Sequence, residues 1–150
     1  MKLYIETSVP NFLFSTQDSF ERQETTKNFF KNIVPQHEAY VSDIYILEAE
    51  DAPPEKQKQL KSIISQYNLK VLEKTNDVEE LANMYQAELK FQERYFNDLL
   101  HIAIATIYKM DVIVSWNLQH IVKLKTILAV EKINKRFKYK TIHICTPEEI

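Results

Sequence analysis

The chain of 150 residues contains no glycine. At ordinary usage, about 7%, roughly ten would be expected. A P-loop, a G-x-G-x-x-G dinucleotide turn and a G-x-S-x-G nucleophile elbow each need backbone shapes that glycine alone adopts cheaply, so all three are excluded. An active site in this chain is therefore built from side chains. Cysteine is nearly absent too. The single Cys145 permits neither an internal disulfide nor a cysteine-based metal site, which fits a reduced, cytoplasmic setting. No segment reaches the ~18 continuous apolar residues of a membrane span. The longest apolar run, 99–108, is interrupted by His101 and Thr106, so no membrane partner is expected. The opening MKLYIETSV meets a polar residue too early for a secretory leader.

What remains is ordinary for one folded domain over 1–150. Hydrophobic residues make up 45%, charged residues 27%, and the net charge is −2. Residues 2–6 (KLYIE) read as a buried strand. Thr7 and Ser8 can cap the next turn, and Pro10 suits a first helical turn. Asp18-x-x-Glu21 resembles a capping box that opens a helix to about residue 33. A strand over 39–41 and a helix capped by Ser42 come next. Beyond Pro53-Pro54 lie a helix over 55–66, a strand over 69–72 and an amphipathic helix over 77–89. Asn97 caps a helix over 98–109 that is apolar nearly all round and hence central. Residues 111–115 (DVIVS) are the cleanest strand, followed by a helical region over 118–137 and a last strand over 143–145. Continuous apolar strands alternating with helices predict an α/β fold with a parallel sheet covered on both faces.

Ligands of open parallel sheets bind at the carboxyl ends of the strands. Glu6 ends the first strand, Glu48 lies one to two turns into the helix after the second, and Asp98 opens the central helix. Asn117 comes just after the strongest strand. These four can converge on one rim as an all-oxygen set, which suits Mg²⁺ or Mn²⁺. Such an ion would relieve repulsion among the acids and serve phosphate chemistry. Each has an ordinary alternative: Glu6 exposed at a strand end, Asp98 at the positive end of a helix, Glu48 on a solvated face beside Glu50 and Asp51.

The order of these motifs resembles the PIN-domain family. The start MKLYIETSVPNFLF, the helix NDLLHIAIAT, the segment VIVSWNLQH, the helix over 42–50 and the ending TPEE all carry the resemblance, which spans nearly the whole chain. It implies a three-layer α/β/α PIN-like domain with a central, mainly parallel sheet of four to five strands. It also implies a metal-dependent ribonuclease, in many bacterial members the toxin of a toxin–antitoxin pair, with Glu6, Glu48, Asp98 and Asn117 as the metal and catalytic positions. Glu6 stands where Asp is usual, and Asn117 where Asp is frequent. A branch of the family resembles this pattern, with an E-T-S or E-T-T start and a W-N-x-x-H turn.

Around that set, Thr7 and Ser8 offer hydroxyls to water or phosphate if they are not caps. His101, three residues after Asp98, can bond a carboxylate or shuttle a proton, or be a buried histidine with a backbone partner. Trp116 can stack on a base or pack against the sheet. His120 is either a site residue or a helix-surface one. Lys123, Lys125, Lys132, Lys135 and Arg136, with Lys138 and Lys140 beyond, face a single acid, Glu131, and form a stretch that would attract RNA phosphates, or a solvated helix face. The expected partners are RNA and a small antitoxin protein, with a homodimer compatible with apolar content around 4–14 and 91–96. The second reading is a catalytically weak module that binds nucleic acid or a protein partner. In a third, the groove receives a partner peptide.

Overall fold

The computed structural model describes residues 1–15 and 19–150. Five strands form one sheet in the order β3-β2-β1-β4-β5, and every neighbouring pair is parallel. They are β1 (Lys2–Ile5), β2 (Glu38–Ser42), β3 (Lys70–Leu72), β4 (Val112–Val114) and β5 (His143–Cys145). The expected mainly parallel sheet of four to five strands is thus five strands, all parallel. Side chains alternate across it. Leu3, Ile5, Ala39, Val41, Val112 and Val114 enter one core, and Tyr4, Tyr40 and Ile113 enter the other. Burial on both faces is why these strands read as unbroken apolar runs.

The first core lies under α1 (Ser8–Phe14), the turns Phe29–Ile33 that follow α2 (Phe20–Asn28), and α4 (Pro54–Gln66). The second lies under α5 (Asn76–Leu89), α6 (Phe96–Ile107) and α7 (Leu124–Arg136). The short α3 (Asp43–Glu50) touches both, with Ile44 in one and Tyr45 and Ala49 in the other. From β1 the chain steps to β2 and β3 on one side. It then crosses to β4 and β5 on the other. The turns after β1 and β4 therefore diverge and leave a crevice between them, the usual ligand position in such sheets.

Several local expectations change. Asp18 lies outside the described residues, and α2 is capped by Ser19, whose hydroxyl accepts from Arg22 N. Thr7 sits at the α1 cap position but makes no side-chain cap bond. Asn97 does not cap α6. A 3₁₀ turn over Glu93–Tyr95 runs straight into the helix, which makes Asn97 its exposed second residue. The helix after β4 starts at Leu124, with residues 118–123 forming turns. Tyr4 is fully buried, and Phe12, Phe91 and Phe96 pack against the cores. The apolar content of 4–14 and 91–96 is thus largely internal.

The lack of glycine shows at the helix ends. Asn68, Lys90, Lys109 and Lys138 adopt left-handed φ of 57°, 57°, 58° and 61°. Around Lys109 the bonds Lys109 N to Thr106 O (3.0 Å) and Met110 N to Ala105 O (2.9 Å) make a Schellman ending. A Cβ in this region costs roughly 1–2 kcal/mol, which the greater freedom of an unfolded glycine partly offsets. Lys109→Gly should therefore stabilise the protein by about 0.5–1 kcal/mol. The check is thermal unfolding, and an unchanged or lower Tm would contradict it.

Candidate active site

Glu6 is the first residue past β1. Its backbone N–H donates to Val114 O at 3.0 Å, which fixes it against the end of β4. Its side chain is buried. Glu6 Oε2 accepts from Ser8 Oγ and from Ser115 Oγ, the latter at 2.7 Å. Each serine is held in turn by a backbone N–H: Trp116 N donates to Ser8 Oγ and Asn117 N to Ser115 Oγ, both at 2.9 Å. The two serines thus lace the β1 turn to the β4 turn and aim the carboxylate. Ser8 acts here on Glu6, not as a helix cap.

Glu48 reaches the same place from α3, because the Ser42 hydroxyl caps that helix at Ile44 N (3.2 Å) and starts it at the end of β2. Glu48 Oε1 accepts from Thr7 Oγ1 at 2.9 Å and from His101 Nε2. His101, fully buried in α6, has its other nitrogen 2.6 Å from Tyr4 OH, which lies 2.7 Å from Ser42 Oγ. Two proton orders join these groups, with Ile44 N donating to Ser42 Oγ in both. In one, Ser42 donates to Tyr4 OH, Tyr4 to Nδ1 of a neutral His101, and Nε2 to Glu48; in the other, a charged His101 donates from both nitrogens and Tyr4 donates to Ser42. Burial pushes the His101 pKa down. Glu48, aided by Glu6 and Asp98, outweighs that and raises it. Burial pushes Glu48 up, but the charge and hydrogen bond of His101 and the bond from Thr7 hold it below the usual carboxylate range. His101 is thus a buried histidine with a carboxylate and a phenol as partners, not a backbone group.

Asp98 stands in the first turn of α6. Its Oδ2 is 3.2 Å from His120 Nδ1. The His120 ring is stacked at 3.9 Å on Tyr95, with Phe91 edge-on at 5.2 Å. Burial, then Lys123 and Arg94, lower the His120 pKa. Burial, then the charges of Glu6 and Glu48, push Asp98 up to about 6, against the pull of His101 and the Asn117 amide. His120 lies in the turn before α7, not on a helix surface.

Glu6, Glu48, Asp98 and Asn117 line one cleft of about 440 Å³, together with Thr7, Ser8, Asn11 and Lys56. Asn117, however, uses Oδ1 to accept from Gln119 N (3.2 Å) and His120 N (3.0 Å). The atom that could ligate a cation shapes this turn, and the amide nitrogen faces Asp98. Trp116 is 5% exposed, with Phe12 5.5 Å and the Arg22 guanidinium 5.3 Å from its ring, and its Nε1 donates to Thr26. The ring is buried, so it packs and does not stack on a base.

The basic residues do not form a patch at the rim. Lys123 lies at the cleft end of α7, and Lys125 is next to it. Lys132, Lys135 and Arg136 lie roughly 14 to 20 Å further along the axis. Lys132 pairs with Glu88 at 2.7 Å, and Lys140 with Asp111 at 2.6 Å. The site residues missed from sequence are Tyr4, Ser42 and Ser115. The alternation of β1 points Tyr4 at the face that receives α6, which is the signal that would have paired it with His101.

Among the described residues, Glu6, Glu48 and His101 bring one potential ligand atom each within 4.8 Å of one another, a group that could hold a metal ion. His101 has both nitrogens engaged, so the two glutamates are the better ligands. Each is anchored through one oxygen, while no described residue hydrogen-bonds to Glu6 Oε1 or Glu48 Oε2. Carboxylates held in this way and facing a third acid fit a hard divalent cation.

No protein-family model and no curated protein matches the sequence. Solved structures do match in fold. FitAB bound to an IR36 DNA fragment aligns with a TM-score of 0.64 at 13% identity, covering 99% of this chain and 96% of that one. VapBC2 from Rickettsia felis, bound to a DNA fragment from its promoter, gives 0.62 at 13%, covering 97% and 98%. Mycobacterium tuberculosis VapC20, a sarcin-ricin loop cleaving toxin, gives 0.62 at 17%, covering 78% and 91%. The chain therefore has the three-layer, VapC-like PIN fold.

Proposed function

We propose that this protein is a divalent-metal-dependent endoribonuclease, the toxin of a toxin–antitoxin pair, working in the cytoplasm. The observation that carries the reading is the pair Glu6 and Glu48, each fixed through one oxygen and open at the other, facing Asp98 in the crevice between β1 and β4. These three acids would hold Mg²⁺ or Mn²⁺. When bound, such an ion supplies charge neutralisation and an activated water for phosphodiester hydrolysis. The Ser8 and Ser115 hydroxyls keep Glu6 aimed, Thr7 and His101 keep Glu48 aimed, and His120 holds Asp98. The shared fold with FitAB, VapBC2 and VapC20 supports RNA as substrate and a small antitoxin as partner.

The test is direct. Incubated with RNA, the purified protein should cleave in Mn²⁺ or Mg²⁺ and stop when EDTA is added. Calorimetry should show Mn²⁺ binding in the same buffer. Cleavage that persists in EDTA would overturn the metal-dependent mechanism. One observation favours the second reading, a weak module that binds without turnover. With Asn117 Oδ1 occupied, only three acids remain to hold the cation. Mn²⁺ and RNA binding with no cleavage would select that reading.

A further inference from the structure

We infer that Lys56 is the residue of this cleft that takes the RNA backbone phosphate. This rests on the nuclease reading and adds to it the group that recognises the substrate. The pattern of α4 is the first observation. Leu60 and Ile63 are its buried residues, at 1% and 2% exposure. Lys56 lies four residues before Leu60 and seven before Ile63, on the same inward stripe. That position ordinarily takes an apolar side chain. A half-buried lysine there lines the cleft together with Leu60, Asp98 and Asn117.

Lysines near acids normally pair with them. Lys61 on the same helix does so, with Glu50 at 3.3 Å. Lys56 does not. Among the described residues it makes no ion pair and no hydrogen bond, although Glu6, Glu48 and Asp98 line the same cleft. The acids take their partners elsewhere, from Ser8, Ser115, Thr7, His101 and His120. Lys56 thus lines the cleft as a cation with no ion pair or hydrogen bond among the described residues.

The substrate supplies what is missing. Three carboxylates repel a polyanion, and a single divalent ion still leaves them a net charge of about −1. A further cation in the cleft supplies the attraction for a phosphate that this balance lacks. The lysines and arginine further along α7 are too far to serve, and Lys56 is the basic side chain that lines the cleft. The helix hairpin α3–α4 carries Glu48 and Lys56 on its two arms. The fold therefore sets a metal ligand and a phosphate ligand in one cleft.

The experiment titrates a labelled single-stranded RNA dodecamer, read by fluorescence anisotropy, in an Asp98→Asn background that does not cleave it. Lys56→Ala should weaken binding about tenfold and flatten the plot of log affinity against log salt by about 0.7, the loss of one phosphate contact on a single strand. Lys56→Arg, which keeps the charge, should stay close to the parent. Mn²⁺ affinity of Lys56→Ala without the Asp98 change should equal that of wild type in calorimetry. An unchanged slope and affinity in Lys56→Ala would overturn the assignment. So would an equal loss in Lys56→Arg, or a parallel loss of Mn²⁺ binding. A wild type that binds no Mn²⁺ and cleaves no RNA sinks the nuclease reading, while the dodecamer titration still gives its own answer on Lys56.

Discussion

Asp98→Asn should abolish metal-dependent RNA cleavage and, at pH 7 without metal, make the protein more stable. The two effects have one cause. Asp98 shares a cleft with Glu6 and Glu48, and burial together with their charges lifts its pKa to about 6. In the unfolded chain its pKa is about 4. Folding therefore raises its proton affinity, and ionising it in the native state carries a penalty. That penalty is absent below about pH 4, grows between about pH 4 and 6, and is complete above 6. A shift of this size corresponds to about 3 kcal/mol. Asparagine keeps the shape but removes the charge. Urea unfolding in EDTA at pH 7 should show the variant more stable by about that amount, with the advantage gone below pH 4. Adding Mn²⁺ should reverse the order, because the parent then gains a ligand that the variant binds poorly. Cleavage should fall by about a hundredfold or more, the usual loss when a preorganised charge-stabilising group is removed. A variant that cleaves like wild type would take Asp98 out of the site.

The second large effect falls on His101. His101→Leu keeps the bulk in the core between α6 and the sheet but removes both hydrogen bonds and the positive charge. Tyr4 OH then loses one of its two partners in a fully buried place. Glu48 loses the contact that offsets its burial. Removing one member of a buried ion pair commonly costs about 3–5 kcal/mol. Glu48 keeps 28% side-chain exposure, so the expected loss is about 3 kcal/mol, near the lower end. A double-mutant cycle separates the causes. Glu48→Gln added to His101→Leu should recover part of the stability, since the stranded charge is gone. If His101→Leu unfolds at the same urea concentration as wild type, the pair holds nothing in place.

The class of fold was legible because it depends on one-dimensional patterns. Residues 143–145 read as a strand and are one, and the stripe Val78, Leu81, Ala82, Tyr85, Leu89 reads as an inward helix face and is one. Order along the chain also sufficed to bring positions 6, 48, 98 and 117 to one rim. What sequence could not supply was who touches whom. Thr7 and Ser8 look like caps in one dimension. In three they donate to Glu48 and Glu6, because the β1 turn passes beside α3. Asn97 is a good capping residue by type, yet the turn at Glu93–Tyr95 starts the helix before it. Trp116 reads as a stacking platform until its ring is found buried, with Phe12 and Arg22 against it. The lysines and arginine of α7 are neighbours in sequence, but the helix spreads them along its length.

The sheet order has a consequence for synthesis. β1 emerges first and ends up between β2 and β4, so the crevice has only one wall until β4 docks. A nascent chain that still lacks residue 98 offers two glutamates and no third acid, and one that lacks residue 115 cannot hold Glu6 in place. The three acids can therefore act together only once β4 has docked, and an unfinished chain carries its carboxylates without the geometry that would make them cooperate.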